Sequence, residues 1–212
     1  MSRLRRRPGG VKTKKAKSTV SSLVELVGIV IVALLLALLI QAFVIKPYRI
    51  PSSSMEPTLT IGQRVLVDRL GKLFSSPHVG EIAVFHPPLN AEQEVCGESR
   101  PAGAACDLPQ AQESSENFIK RIVAGPGDVI SILGGHVIRN GKAEKDKYTL
   151  PCTPGEQCSF PTKIKIPAGM WFMMGDNRGM SDDSRFWGPV PTKWIIGDAF
   201  ATYWPPDRIG FL

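Results

Sequence analysis

At 212 residues the chain has room for one folded domain and an appendage, and its net charge of +7 must be located before it is interpreted. Arg3, Arg5, Arg6, Arg7, Lys12, Lys14, Lys15 and Lys17 all fall within residues 1–24, which hold no acid, and the rest of the chain carries slightly more acids than bases. The charge is therefore a tail and not a basic surface. This excludes nucleic acid as the implied partner and points to membrane orientation.

Leu26 to Ile45 reads LVGIVIVALLLALLIQAFVI, with Gln41 its one polar residue. At ~1.5 Å per residue such a helix spans ~30 Å, the hydrocarbon thickness of a bilayer. The run lacks a polar stripe and is not followed by an A-x-A cleavage pattern, so it reads as a permanent transmembrane helix over residues 25–45 and not as a buried core helix or a removed signal peptide. Residues 1–24 are then a cytoplasmic tail, and residues 46–212 lie outside the cytoplasmic membrane, as a single-pass arrangement with cations inside requires. Cys96, Cys106, Cys152 and Cys158 all follow the span, which fits an oxidising compartment. Four cysteines allow three pairings; the expected one is local, Cys96 with Cys106 and Cys152 with Cys158. Their spacings do not suit zinc.

Immediately after the span comes Pro51-Ser52-Ser53-Ser54-Met55-Glu56-Pro57-Thr58-Leu59. Pro51 fixes its own φ and Pro57 biases Glu56 towards extended backbone, so the serines sit on a stiff, non-helical segment. By composition this is a linker. It could also display a nucleophilic serine, which needs a base and an oxyanion site from elsewhere. Ser54 is nine residues beyond Ile45. At no more than ~3.6 Å per residue, it stands within ~30 Å of the bilayer edge.

The remainder reads as many short strands: Gln63–Asp68, Glu81–Phe85, Asn117–Ala124, Val129–Leu133, His136–Arg139, Lys142–Glu144, Lys163–Ile166, Met170–Met174 and Trp194–Thr202. Leu70–Pro77 is a connector. Residues 86–116 read as an insertion or extended loop held by its cysteine pair. Gly125-Pro126-Gly127-Asp128 and Asn140-Gly141 are turn signals, the second suited to a type I′ hairpin. Sustained helical periodicity is absent after the span. The fold expected is mostly β: a transmembrane helix followed by an all-β extracytoplasmic domain.

His78, His86 and His136 lie in loops or hairpins without an acidic partner motif. The alternative base is a lysine kept neutral by burial. An exposed lysine is neutral about once in 2,500 near pH 7, so the candidate must sit inside an apolar strand. Lys120 in Phe118-Ile119-Lys120-Arg121-Ile122-Val123 does, and alternation puts it on the face of Phe118 and Ile122, opposite Ile119. An edge-strand charge is the competing reading. In Gly175-Asp176-Asn177-Arg178-Gly179-Met180-Ser181-Asp182-Asp183-Ser184-Arg185, interleaved arginines disfavour calcium and favour internal ion pairs that stiffen the loop.

These stretches resemble bacterial type I signal peptidases, membrane-bound endopeptidases that remove signal peptides from exported proteins. The resemblance rests on Pro51–Leu59 as P-S-x-S-M-x-P-T-L, Gly80–Phe85 as G-E-I-x-V-F, the lysine-arginine strand and P-G-D turn of Phe118–Asp128, and Gly175–Arg185 as G-D-N-R-x-x-S-x-D-S-R. It covers the anchor and nearly all of the outer domain. It implies Ser54 as nucleophile and Lys120 as general base. Ser52 and the Ser54 backbone N–H would form the oxyanion hole, and Ser181 would orient the lysine. Arg121, Asp176, Arg178, Asp183 and Arg185 would support the site. Ile50, Pro51, Met55, Leu59, Phe118 and Ile119 would line pockets for small side chains, as in A-x-A.

Preprotein signal peptides emerging from the export machinery and the lipid bilayer are the implied partners. No metal, nucleotide or other cofactor is called for. Ser53 has no implied role. Residues around Leu70–Phe74 are expected to dip into the membrane interface. Gly179-Met180 departs from the family's usual Asp-Asn. A related Ser–Lys peptidase with a dedicated substrate and an inactive membrane-tethered binding module are the competing functions.

Overall fold

In the computed structural model, residues 19–89, 91–93, 96, 97, 99–155 and 157–212 are described. The basic residues of the tail lie outside them. The chain divides into two units, Met1–Ile40 and Gln41–Leu212.

The first unit is built on helix α1, Thr19–Phe43. Its Ser22–Gln41 stretch has a mean hydropathy of 3.1 and is long and apolar enough to cross a membrane. The helix begins six residues before Glu25, and the chain leaves helix before Ile45. Ile45 instead opens strand β1, Ile45–Arg49, where it pairs with Asp68 of β2, Arg64–Asp68. Apolar composition alone does not mark that end, because β-branched residues suit the edge of a sheet as well as a span.

The second unit is mostly β, as expected. Its main sheet also takes in β3 (Ile82–Phe85), β4 (Phe118–Ala124), β9 (Met170–Met174), β10 (Val190–Pro191), β11 (Ile195–Trp204) and β12 (Gly210–Phe211). The order is β1-β2-β11-β3-β4-β9-β10, with β12 added to β11. A smaller sheet runs β7-β6-β5-β8, from Lys142–Ala143, His136–Arg139, Val129–Leu133 and Phe160–Lys165. Asn140 and Gly141 both take positive φ, 52° and 80°, as a type I′ turn between β6 and β7 requires. The predicted connector at Leu70–Pro77 contains one helical turn, α2, Gly71–Phe74, whose Phe74 is 86% exposed.

Strand β3 is buried along its whole length because it divides two cores. Ala83 and Phe85 face a larger cluster with Ile122, Phe172 and Trp187. Ile82 and Val84 face a smaller one with Ile50, Met55, Leu59, Val65, Val67 and Ala199. The period of two in a strand produces this split. Strand β4 follows it through Ile122, with Phe118 and Ile122 against the first cluster and Ile119 against the second. A register shift between Ile122 and Ala124 then brings Val123 to the first cluster as well.

Both local disulfides form, Cys96–Cys106 and Cys152–Cys158. The first ties down part of the 86–116 connection. Cys106 is fully buried, and its N–H donates to the Arg185 carbonyl at 3.0 Å, beside an Arg100 Nη1 bond to the same oxygen at 2.9 Å.

Candidate active site

Ser54 is presented by a short turn whose neighbours are nailed into the smaller core. Ser53–Met55 form one 3₁₀ turn, entered through extended Ser52 and left through extended Glu56, so the segment is tighter than the non-helical strip expected from its prolines. Ile50, Met55 and Leu59 are 1%, 0% and 0% exposed. Burying each such side chain stabilises by ~1.5–3 kcal/mol, so the turn has little freedom to shift. These three, expected as pocket lining, are packed into the smaller core beneath the turn.

The second half of the site is the loop after β9. Asn177 N–H donates to the Ser54 carbonyl at 3.1 Å, and Asn177 Nδ2 to the Ser53 carbonyl at 3.3 Å. Asp176 is fully buried and accepts from Arg121 Nε at 2.8 Å, Arg121 Nη2 at 2.7 Å and Thr58 Oγ1 at 2.5 Å. One carboxylate thus joins the serine segment, strand β4 and the loop. Asp183 accepts from the Gly175 N–H at 3.0 Å and from Arg185 Nε at 2.8 Å. Arg185 Nη2 also donates to the carbonyls of Arg178 and Ser181 at 2.7 and 3.0 Å. Arg178 reaches the Gly175 carbonyl at 3.0 Å and Glu144 at 2.6 Å. Helix α3, Ser184–Trp187, starts from Asp183, and its Ser184 hydroxyl accepts from the Met173 N–H. Burial would raise the Asp183 carboxyl, but Arg185 beside it more than offsets this and holds it below the usual carboxylate range.

Lys120 lies between these halves, 4% exposed, and its Nζ donates to Ser181 Oγ at 3.0 Å. Burial pulls its pKa down from 10.5 to about 8, against the opposing pull of Asp183, Asp182 and Asp176. At pH 7 about a tenth of such lysines are neutral, two orders of magnitude more than in water. Ser52 Oγ is 3.2 Å from Ser54 Oγ. A cleft of about 550 Å³ is lined by Ser52, Ser54 and Lys120 together, with Pro51, Phe118 and Ile119 of the predicted pocket residues on its wall. Ile119 contributes although it packs towards the other core. Glu116, Asn117, Met180 and Asp182 also line the cleft and were not singled out from sequence. Their signal was adjacency to the motifs, which spacing alone does not convert into a wall.

His78 and His136 do meet carboxylates, Glu81 at 2.8 Å and Asp146 at 2.5 Å, which the sequence did not disclose. Both pairs are at the surface and neither borders the cleft. Among the described residues no group of three or more metal-ligating side chains is assembled.

The family profile described as "Signal peptidase, peptidase S26" matches residues 23–204. A probable signal peptidase I-1 of Synechocystis sp. is 39% identical over 188 residues, 89% of this chain and 86% of that protein. A signal peptidase I of Leptolyngbya laminosa is 35% identical, over 93% and 86% of the two chains. A probable thylakoidal processing peptidase 2 of Arabidopsis thaliana is 34% identical over 84% of this chain and 43% of its own.

Proposed function

Since the chain belongs to the signal peptidase family, peptidase S26, and is therefore a serine endopeptidase, we propose that Ser54 and Lys120 form its catalytic dyad and that it cuts preproteins after A-x-A-type sequences. The observation that carries this is the buried Lys120 amine, held by Ser181 at 3.0 Å on the wall of the cleft that contains Ser54. In this mechanism neutral Lys120 takes the Ser54 hydroxyl proton as Oγ attacks the scissile carbonyl. The oxyanion is met by the Ser54 N–H and the Ser52 hydroxyl, and each such donor is worth ~3–4 kcal/mol. Lys120 then returns the proton to the departing amine, leaving an acyl-enzyme. A water deprotonated by the same lysine attacks it, releasing the signal peptide and regenerating Ser54. Pro51, Phe118 and Ile119 give the cleft an apolar wall suited to small aliphatic side chains. The basic tail supports a cytoplasmic N-terminus with this domain on the opposite side of the membrane, where substrates emerge.

The test is to incubate the detergent-solubilised protein with a preprotein bearing Ala-x-Ala and to map the products by mass. One cut directly after the second alanine is expected, lost in both Ser54→Ala and Lys120→Ala while circular dichroism is unchanged. Persisting cleavage in either variant would remove that residue from the dyad.

A further inference from the structure

We propose that Tyr148, which lies outside the cleft, is a positioning residue for the reaction: its ring caps the Arg121 guanidinium and through it holds the Gly175–Arg185 loop against the Ser54 turn. The inference rests on the dyad just described. Arg121 directly follows Lys120 on β4. Its guanidinium is bonded along its edges, to both oxygens of Asp176 and, through Nη1 at 2.7 Å, to the Gly80 carbonyl. Bonds from its edges leave the two faces of the planar group uncovered. Tyr148 covers one of them, with its ring centroid 3.9 Å from Arg121 Cζ. A planar guanidinium stacks on an aromatic face in a way that a lysine ammonium does not. Burial raises the Tyr148 phenol to about 12, so the ring meets the cation as a neutral group at pH 7.

Tyr148 belongs to the connection between β7 and β8, and this connection meets the site loop at three successive residues. The Leu150 N–H donates to the Asp176 carbonyl at 2.9 Å, and Leu150 forms a β-bridge with Asn177. Glu144 Oε1 accepts from Arg178 Nη2 at 2.6 Å and from the Tyr148 hydroxyl at 3.3 Å. Two residues beyond Leu150, the Cys152–Cys158 disulfide closes the connection, and the Cys158 carbonyl accepts from the Gly135 N–H at 2.7 Å. From Asp176 the effect reaches the nucleophile by two routes. Its carboxylate holds Thr58, and the next residue, Asn177, donates to the Ser53 and Ser54 carbonyls. With the ring gone, water reaches the open face of Arg121. The attraction between Arg121 and Asp176 weakens in the higher local dielectric, and the loop gains freedom to move relative to Ser54. Tyr148 is not among the residues that line the cleft, so it acts on the reaction through Arg121 and not on the substrate.

The experiment uses the full chain in detergent and an Ala-x-Ala preprotein, with the folded fraction of each protein read by circular dichroism. Tyr148→Leu should lower kcat per folded molecule by about tenfold, less than the about 100-fold of a ~1 Å misplacement, with KM within about twofold of wild type. Tyr148→Phe keeps the ring and should retain kcat within about twofold. In an Arg121→Lys background, which has no flat group for the ring to cover, adding Tyr148→Leu should change kcat by less than about twofold. A purely structural ring would lower stability and leave kcat per folded molecule unchanged. Three results overturn the inference while leaving the dyad standing: an unchanged kcat in Tyr148→Leu, an equal loss in Tyr148→Phe, or an undiminished effect of Tyr148→Leu in the Arg121→Lys background. Should Tyr148→Leu not fold, Tyr148→Met is read in its place, and failure of both to fold overturns the inference as well. Failure of wild type to cut the preprotein would remove the dyad, and this inference with it.

Discussion

Gly175 and Ser54 are in direct backbone contact. A Cβ placed on Gly175 would overlap the Ser54 carbonyl oxygen and the Ser181 hydroxyl, and would stand 2.6 Å from Ser181 Cβ. The glycine is needed for space and not for an unusual φ. Because the obstructing atoms are backbone and a short side chain, they cannot swing aside. Gly175→Ala should push the serine turn and Ser181 apart and lower kcat by about 100-fold, the scale of a ~1 Å misplacement. Single-turnover cleavage of a bound preprotein measures this directly; a loss confined to KM would show that the contact matters only for binding.

The rate should follow the neutral fraction of Lys120. With its pKa brought down to about 8 by burial, kcat/KM should rise about tenfold per pH unit below that value and level off above it. A pH–rate profile of wild type checks this. Ser181→Ala should keep the rising limb but lower the plateau, because the amine loses the partner that orients it.

The same burial is a cost to the fold. Lys120 binds its proton less tightly in the folded protein than the ordinary 10.5 of the unfolded chain. The penalty is thus present in full below about pH 8, fades between 8 and 10.5, and is absent above. Lys120→Met should raise stability at pH 7 by up to about 3 kcal/mol, taking 1.36 kcal/mol per pKa unit. Urea unfolding of both proteins at pH 7 and pH 10.5 should show the gap closing at the higher pH.

Removing Asp176 should have the opposite sign. Its carboxylate is the bidentate partner of Arg121, itself 8% exposed. Asp176→Ala leaves that guanidinium buried without its counter-charge and should destabilise the protein by ~3–5 kcal/mol. Asp176→Ala combined with Arg121→Met should recover much of the loss in the same unfolding assay. No recovery would mean that the Thr58 bond, and not the ion pair, carries the effect.

Much of this site was legible in the chain because its chemistry is local. A lysine within an apolar strand, arginines alternating with aspartates, and glycine at a turn each state a physical requirement within a few residues. The local disulfides and the Asn140-Gly141 hairpin are of the same kind. What could not be read depends on pairing between distant segments. Ile45 belongs to a sheet because Asp68 is opposite it, not because its neighbours are less apolar. Met55 and Leu59 are buried in the smaller core because residues of β2, β3 and β11 pack around them. Asp182 lines the cleft only once Ser181 has met Lys120.

The joining of Thr58 and Arg121 through Asp176 sets a time order on the enzyme's own synthesis. The Thr58–Asp176 bond closes across 118 positions of sequence, and the Asn177–Ser53 bond across 124. A nascent chain thus holds Ser54 and Lys120 before it holds the loop that fixes them. Until Gly175–Arg185 has been made and folded, the Ser54 turn lacks its bonds from Asn177, and Lys120 lacks its bond to the Ser181 hydroxyl. On the dyad proposed above, a chain truncated before Gly175 should therefore show no proteolysis.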